Sequence, residues 1–152
     1  VADVFVRRAE ISDLEDLTRL FDGYRQFYEQ NSDLAGARAF LHERIMHDES
    51  VIFVALAGGR PVGFTQIYPS FSSVSMGSIF VLNDLFVSPV ARKLGIGRRL
   101  LDAAANDARS TGAIRLSLST ALTNLAAQSL YESHGWKRDT RFYVYNLSLL
   151  RE

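Results

Sequence analysis

The stretch that most constrains this chain is Leu82-Asn83-Asp84-Leu85-Phe86-Val87-Ser88-Pro89-Val90-Ala91-Arg92-Lys93-Leu94-Gly95-Ile96-Gly97-Arg98-Arg99-Leu100-Leu101. An apolar strand stops at Ser88-Pro89, a short basic loop with two glycines follows, and an amphipathic helix leaves it. A helix N-terminus presents unpaired N–H groups and the positive end of its dipole, so it attracts anions. Gly95 and Gly97 let the backbone approach a phosphate where a Cβ would obstruct it. Arg92 and Lys93 add charge at the same spot. The loop reads as a pyrophosphate cradle; the plainer reading is a strand-to-helix turn with solvated basic residues beside it. It is not a Walker loop, which needs a Lys-Ser/Thr pair where Arg98-Arg99 stand. Nor is it a dinucleotide fingerprint, which needs a third glycine at Leu100.

Periodicity orders the rest of the chain. Val4 to Arg8 predicts a first strand, and Ser12-Asp13-Leu14-Glu15 predicts a capping box. Leu14, Leu17, Phe21, Tyr24 and Tyr28 recur at helical spacing and predict a helix to about Gln30. A second helix is expected over Leu34 to His47, burying Phe40, Leu41, Ile45 and Met46. Val51 to Leu56 and Pro61 to Tyr68 predict a hairpin about Ala57-Gly58-Gly59-Arg60. Pro69 to Ser75 is expected as loop, and Ser78 to Val87 as a strand covered on both faces. Strand alternation puts Asn83 with Val81, Leu85 and Val87, and Asp84 with Leu82 and Phe86. The helix after the loop carries Ile96, Leu100, Ala104 and Ala108 on one stripe and ends at Gly112. Ile114 to Ser119 predicts a strand, Thr123 or Asn124 caps a short helix through Ser133, and Arg141 to Leu149 predicts a last strand. The expected class is α/β, a mixed, mostly antiparallel sheet flanked by helices in the order β-α-α-β-β-β-α-β-α-β.

Composition narrows the function. The 152 residues predict one domain, 1–152, with a substantial core. Net formal charge is zero, so no nucleic-acid surface and no anionic membrane partner is expected. No apolar run reaches transmembrane length and no signal peptide opens the chain, while Val1 in place of Met predicts a trimmed initiator or leader. There is no cysteine, which rules out a thiolate nucleophile or thiolate metal site and fits a cytoplasmic protein. His42, His47 and His134 lack ligand spacing, so no metal is expected.

A second constellation lies in Asn124-Leu125-Ala126-Ala127-Gln128-Ser129-Leu130-Tyr131-Glu132-Ser133-His134-Gly135-Trp136. Tyr131 follows Asn124 two turns along one helix face. Together with Arg92-x-x-Gly95-x-Gly97 and the element order, this stretch resembles the GCN5-related N-acetyltransferases, nearest to small-amine or polyamine and histone-acetyltransferase-like members. The loop is similar to their motif A, and the Asn124 helix to their motif B. The resemblance covers nearly the whole chain and implies acetyl-CoA as co-substrate. Arg92, Lys93, Leu94, Gly95, Ile96, Gly97 and Arg98 would grip its pyrophosphate. The backbone of Leu85, Phe86 and Val87 would pair with pantetheine where the central strand splays from the next one, and Asn124 and Ala127 would face the acyl arm.

The same resemblance implies an N-acetyltransferase that acts by direct attack of a primary amine in a ternary complex. Tyr131 would donate a proton to the leaving CoA sulfur; its plainer role is packing against the sheet. An alkylammonium, with a pKa near ~10.4, must lose a proton before it attacks. Polyamine-type relatives carry Glu-Asp where this chain has Asn83-Asp84. Asp84, acting through a water, is therefore the candidate base, and a structural hydrogen-bond acceptor is its other reading. Tyr28, Tyr68, Ser70 and Phe71 are candidate acceptor contacts, with Tyr24 and Tyr28 equally readable as the apolar face of the first helix. The expected acceptor is a small amine or polyamine, or else a protein amine. The alternative function is a catalytically silent acyl-CoA sensor. The apolar last strand predicts a homodimer contact.

Overall fold

Five strands make one sheet in the order β1 (Val4–Arg8), β2 (Val51–Ala57), β3 (Arg60–Ser72), β4 (Gly77–Val87), β5 (Leu116–Ser117). The computed structural model describes residues 3–151, and the chain divides between Ser119 and Thr120 into two compact units. The sheet belongs to the first. Its first four strands pair antiparallel, and β5 joins parallel to β4 after the crossover through α3 (Ile96–Ser110).

Each face of the sheet has its own core. On one face α1 (Leu14–Phe27) and α2 (Leu34–Met46) bury Leu17, Phe21, Ala37 and Leu41 against Ile52, Val54 and Phe64, with Phe86 packed beside them. On the other, Ile96 and Leu100 of α3 lie with Ala55, Val62 and Ala91, flanked by Leu85 and Val87. Each large apolar side chain so buried contributes about 1.5–3 kcal/mol. Gly23 lets α1 come this close, because a Cβ there would meet the Phe86 ring at 3.2 Å.

Several local expectations shift. The capping box sits earlier than Ser12: the Glu10 N–H donates to Asp13 Oδ2 at 2.8 Å, and a 3-10 turn over Ile11–Asp13 leads into α1. Arg7 decides this, since its two terminal nitrogens grip the Asp13 carboxylate at 2.8 and 2.9 Å from β1. α1 stops at Phe27 because the chain turns left-handed at Glu29, φ 63°. On α2 the buried stripe is Ala37 and Leu41, while Phe40 is partly exposed and stacks on Phe21 at 5.6 Å. β3 runs through the segment expected as loop, to Ser72. Beyond Ile67 it pairs only with β4, a one-sided stretch on which Pro69 is tolerated. β5 is cut to two residues because only Phe80 and Val81 pair with it.

In the second unit Asn124 caps α4 (Leu125–Ser133), its Oδ1 accepting from the Ala127 N–H at 3.2 Å, and Gly135 follows at φ 87°. The last strand expected over Arg141 to Leu149 does not form: these residues are irregular and exposed. Strand propensity is realised only against a partner strand, and none pairs with this segment among the described residues. No helix among the described residues is long and apolar enough to cross a membrane.

Candidate active site

The site is organised by a break in the β3–β4 ladder. Gln66 pairs with Asp84 and Ile67 with Leu82, so Asn83 is an extra residue, a β-bulge. The bulge breaks the expected alternation at one point. Asp84 shares a face with Phe86 and the α1 side of the sheet, as alternation predicts, while Leu82 goes with Leu85 and the α3 side. The grouping of Asp84 with Leu82, and of Val81 with Leu85 and Val87, is therefore wrong, because simple alternation does not survive an inserted residue.

Asn83 is exposed, and its carbonyl accepts the Tyr24 hydroxyl at 2.9 Å. Asp84 is buried, 2% exposed. Its Oδ2 accepts from Gln66 Nε2 at 2.6 Å, and Gln66 Oε1 accepts from Ser50 Oγ at 2.6 Å. Burial pushes the Asp84 carboxyl up to about 6, against smaller pulls downward from Gln66 and the Tyr24 hydroxyl. Tyr24 and Tyr68 lie beside it, and both phenols are raised, first by burial and then by the Asp84 charge. An aspartate raised to about 6, held at a bulge beside two phenols, can accept a proton from an amine.

Of the expected acceptor contacts, Tyr68 is near this carboxyl, and Tyr28 reaches it only through Tyr24, ring to ring at 5.2 Å. Tyr24 belongs both to the apolar face of α1, stacked on Phe21 and edge-on to Phe64 and Phe86, and to the site. Ser70 and Phe71 pair with Ile79 and Ser78, on the order of 13 Å along the strand from Gln66. They do not join the cluster. Ser50 and Gln66 were not singled out from the sequence. The one signal for Gln66 was a polar residue within an apolar strand, and Ser50 gave none.

Past Val81 the β5 side of β4 has no ladder partner among the described residues, so the edge of Leu85 to Val87 facing away from β3 carries no strand, with the Val87 carbonyl taken by Arg92. The glycine loop lies directly beyond it. Gly95, the N-cap of α3, is left-handed at φ 74°, and no side chain caps the helix. A Cβ at Gly95 would meet nothing within 4 Å, so the loop opens onto free space above the first N–H groups of α3. Lys93, at φ 68°, and Leu94 are exposed on the loop, Arg98 is exposed on the first turn of α3, and Ile96 is anchored in the core. Arg92 Nε donates to the Val87 carbonyl at 3.0 Å, with its guanidinium 5.9 Å from the Phe27 and Phe86 rings. It thus ties the loop to the end of β4 and to α1.

In the second unit Tyr131 is half-buried on α4, with its ring 5.9 Å from that of Trp136. The carbonyl of Asn124 is engaged as the helix cap, and Ala127 is half-buried on the next turn.

Residues 14–136 match the model of the acetyltransferase (GNAT) family. Over 144 residues the chain is 51% identical to an uncharacterized N-acetyltransferase, YhfO, of Bacillus subtilis, covering 95% of this chain and 97% of that protein. A crystal structure of a probable acetyltransferase superposes with a TM-score of 0.91 at 40% identity, covering 97% of this chain and 99% of that one. The fold is also that of an aminoglycoside N-acetyltransferase in complex with CoA, with a TM-score of 0.81 at 19% identity and coverage of 97% and 96%. The chain belongs to the GNAT acetyltransferase family and is an N-acetyltransferase.

Proposed function

We propose that the protein moves an acetyl group from acetyl-CoA to a small primary amine or polyamine, by direct attack of the amine in a ternary complex. The observation that carries this reading is the end of β4–β5 pairing at Val81, followed, after the unpaired end of β4 and a short loop, by the glycine-led start of α3, which no side chain caps. An open strand edge and an open helix N-terminus in series suit a ligand that is an amide-bearing chain with a pyrophosphate at its end.

Acetyl-CoA supplies an activated acetyl thioester. The N–H groups opening α3, with Lys93 and Arg98 beside them, hold its phosphates, and the edge of Leu85 to Val87 orients its amides. The Asp84 carboxylate takes the proton of the attacking ammonium through a water at the bulge. Tyr131 Oη gives a proton to the departing sulfur, a role supported by its place in motif B. A small amine is favoured over a protein amine because the proton acceptor is buried under α1 and fenced by Tyr24 and Tyr68.

The test is release of free CoA thiol from acetyl-CoA with a panel of polyamines, amino acids, aminoglycosides and lysine peptides. Without cysteine the protein adds no background thiol. Release that depends on a small amine and falls by 10²-fold or more in Tyr131→Phe supports the reading. Release with lysine peptides alone would assign a protein acceptor, and acetyl-CoA binding without release for any amine would refute the transfer.

A further inference from the structure

We propose that Ser50 and Gln66 are positioning residues for the reaction: a two-step hydrogen-bond relay that keeps the Asp84 carboxyl ionised and aimed at the acceptor. The proposal rests on Asp84 being the proton acceptor.

A carboxamide is ambivalent. It can present either its oxygen or its NH2 group to a neighbour, and its oxygen turned on Asp84 would repel the carboxylate. The ionised Asp84 can only accept, so it draws the NH2 group, and Ser50, just before β2, supports that orientation by giving its proton to Gln66 Oε1 at 2.6 Å. That leaves Gln66 Nε2 to donate to Asp84 Oδ2, also at 2.6 Å. Gln66 is fully buried at 0% exposure and Ser50 nearly so at 7%. A buried amide in mid-sheet is costly unless its polar atoms are bonded, and an apolar residue there would cost nothing of the kind. The arrangement has a chemical use that packing does not supply, since a donor on a buried carboxylate favours its charged form.

The other groups facing this carboxyl are Tyr24 from α1 and Tyr68 from β3. Tyr28 acts on Tyr24, and Arg44 of α2 and Glu49 act on Tyr68. None of these is a fixed cation bonded to Asp84. Gln66 is therefore the leading donor that favours its charge, with the Tyr24 hydroxyl second.

The experiment compares Gln66→Met, Ser50→Ala and Ser50→Thr with the parent protein. Two readouts are followed against pH: the rate of amine-dependent CoA release and the ¹³C shift of the Asp84 carboxyl. Loss of one hydrogen bond to a charged group should move the acidic limb and the carboxyl titration upward by about one pH unit in Gln66→Met. At pH 6.5 that is about a threefold loss of rate, shrinking toward pH 8. Ser50→Ala should shift in the same direction by less, and Ser50→Thr, which keeps the hydroxyl, should restore the parent profile. Should Gln66→Met fail to fold, the two Ser50 variants carry the test. A uniform loss of rate at every pH with the carboxyl titration unmoved would overturn the relay while leaving Asp84 as base. An Asp84→Asn protein with full activity would overturn both.

Discussion

Replacing Asp84 by Asn should trade activity for stability, and the size and pH dependence of the gain follow from the site. The carboxyl is 2% exposed, and its half-ionisation lies at about 6, against an ordinary 3.8. A carboxyl raised on folding stabilises the fold fully only while protonated. Its contribution is present below about 3.8, is lost as pH rises toward about 6, and stays lost above. Holding the charge in the fold at pH 7.5 therefore costs about 3 kcal/mol. The isosteric amide never pays it, and its oxygen still accepts from Gln66. Asp84→Asn should be more stable by about 3 kcal/mol at pH 7.5, a rise in Tm of roughly 6–12 °C for a domain of this size, and by only about 0.5 kcal/mol at pH 4. Urea unfolding of both proteins from pH 4 to 8 reads this directly. Asp13 and Asp22 are held below the usual carboxylate range by their hydrogen bonds, so both proteins weaken in acid. The difference between the two curves cancels that loss. CoA release should fall by 10²-fold or more. A difference independent of pH, or a less stable variant at pH 7.5, would refute the picture of a charge held against desolvation.

Gly95→Ala places a side chain at φ 74°, which costs about 1–2 kcal/mol whatever the space. Titration calorimetry should show several-fold weaker acetyl-CoA binding, with the pH profile of the remaining activity unchanged. Asp22 is buried and accepts from Gln26, Ser32 and the Asp33 N–H, closing the turn between α1 and α2. Asp22→Ala should lose about 2–3 kcal/mol by urea unfolding, because it strands those donors. Phe142, Tyr143, Val144 and Tyr145 are 71–90% exposed, and the homodimer expected through this segment predicts sedimentation as a dimer at micromolar concentration that Tyr143→Lys dissociates. A monomer would dismiss that contact.

What was legible in the chain was local chemistry. The glycine loop, the Asn124 cap and the Gly58-Gly59 hairpin each depend on residues a few places apart, and all stand where the sequence puts them. The capping box was missed because two boxes overlap, Glu10-x-x-Asp13 and Ser12-x-x-Glu15. The choice between them is made by Arg7, reaching over from β1. The relay was illegible for the same reason on a larger scale. Ser50, Gln66 and Asp84 stand on three segments, and only the register of β3 between its neighbours brings them into line. The last strand failed in the opposite sense: its residues have the propensity, but propensity does not supply the partner.

The bulge also explains how Asn is accommodated at position 83. Position 83 is the inserted residue, exposed, with its carbonyl committed to Tyr24. A carboxylate placed there in water would ionise near ~4.3 and be a weak proton acceptor at neutral pH. One residue on, the chain turns back into the sheet and the Asp84 side chain enters the core, where desolvation lifts it to about 6. That value leaves it mostly charged at pH 7 and yet more basic than any exposed carboxylate, which is the compromise general-base catalysis requires. The relay from Ser50 through Gln66 sets the upper bound of that compromise. Without it burial would carry the carboxyl about one pH unit higher still and leave less of it charged when the amine arrives.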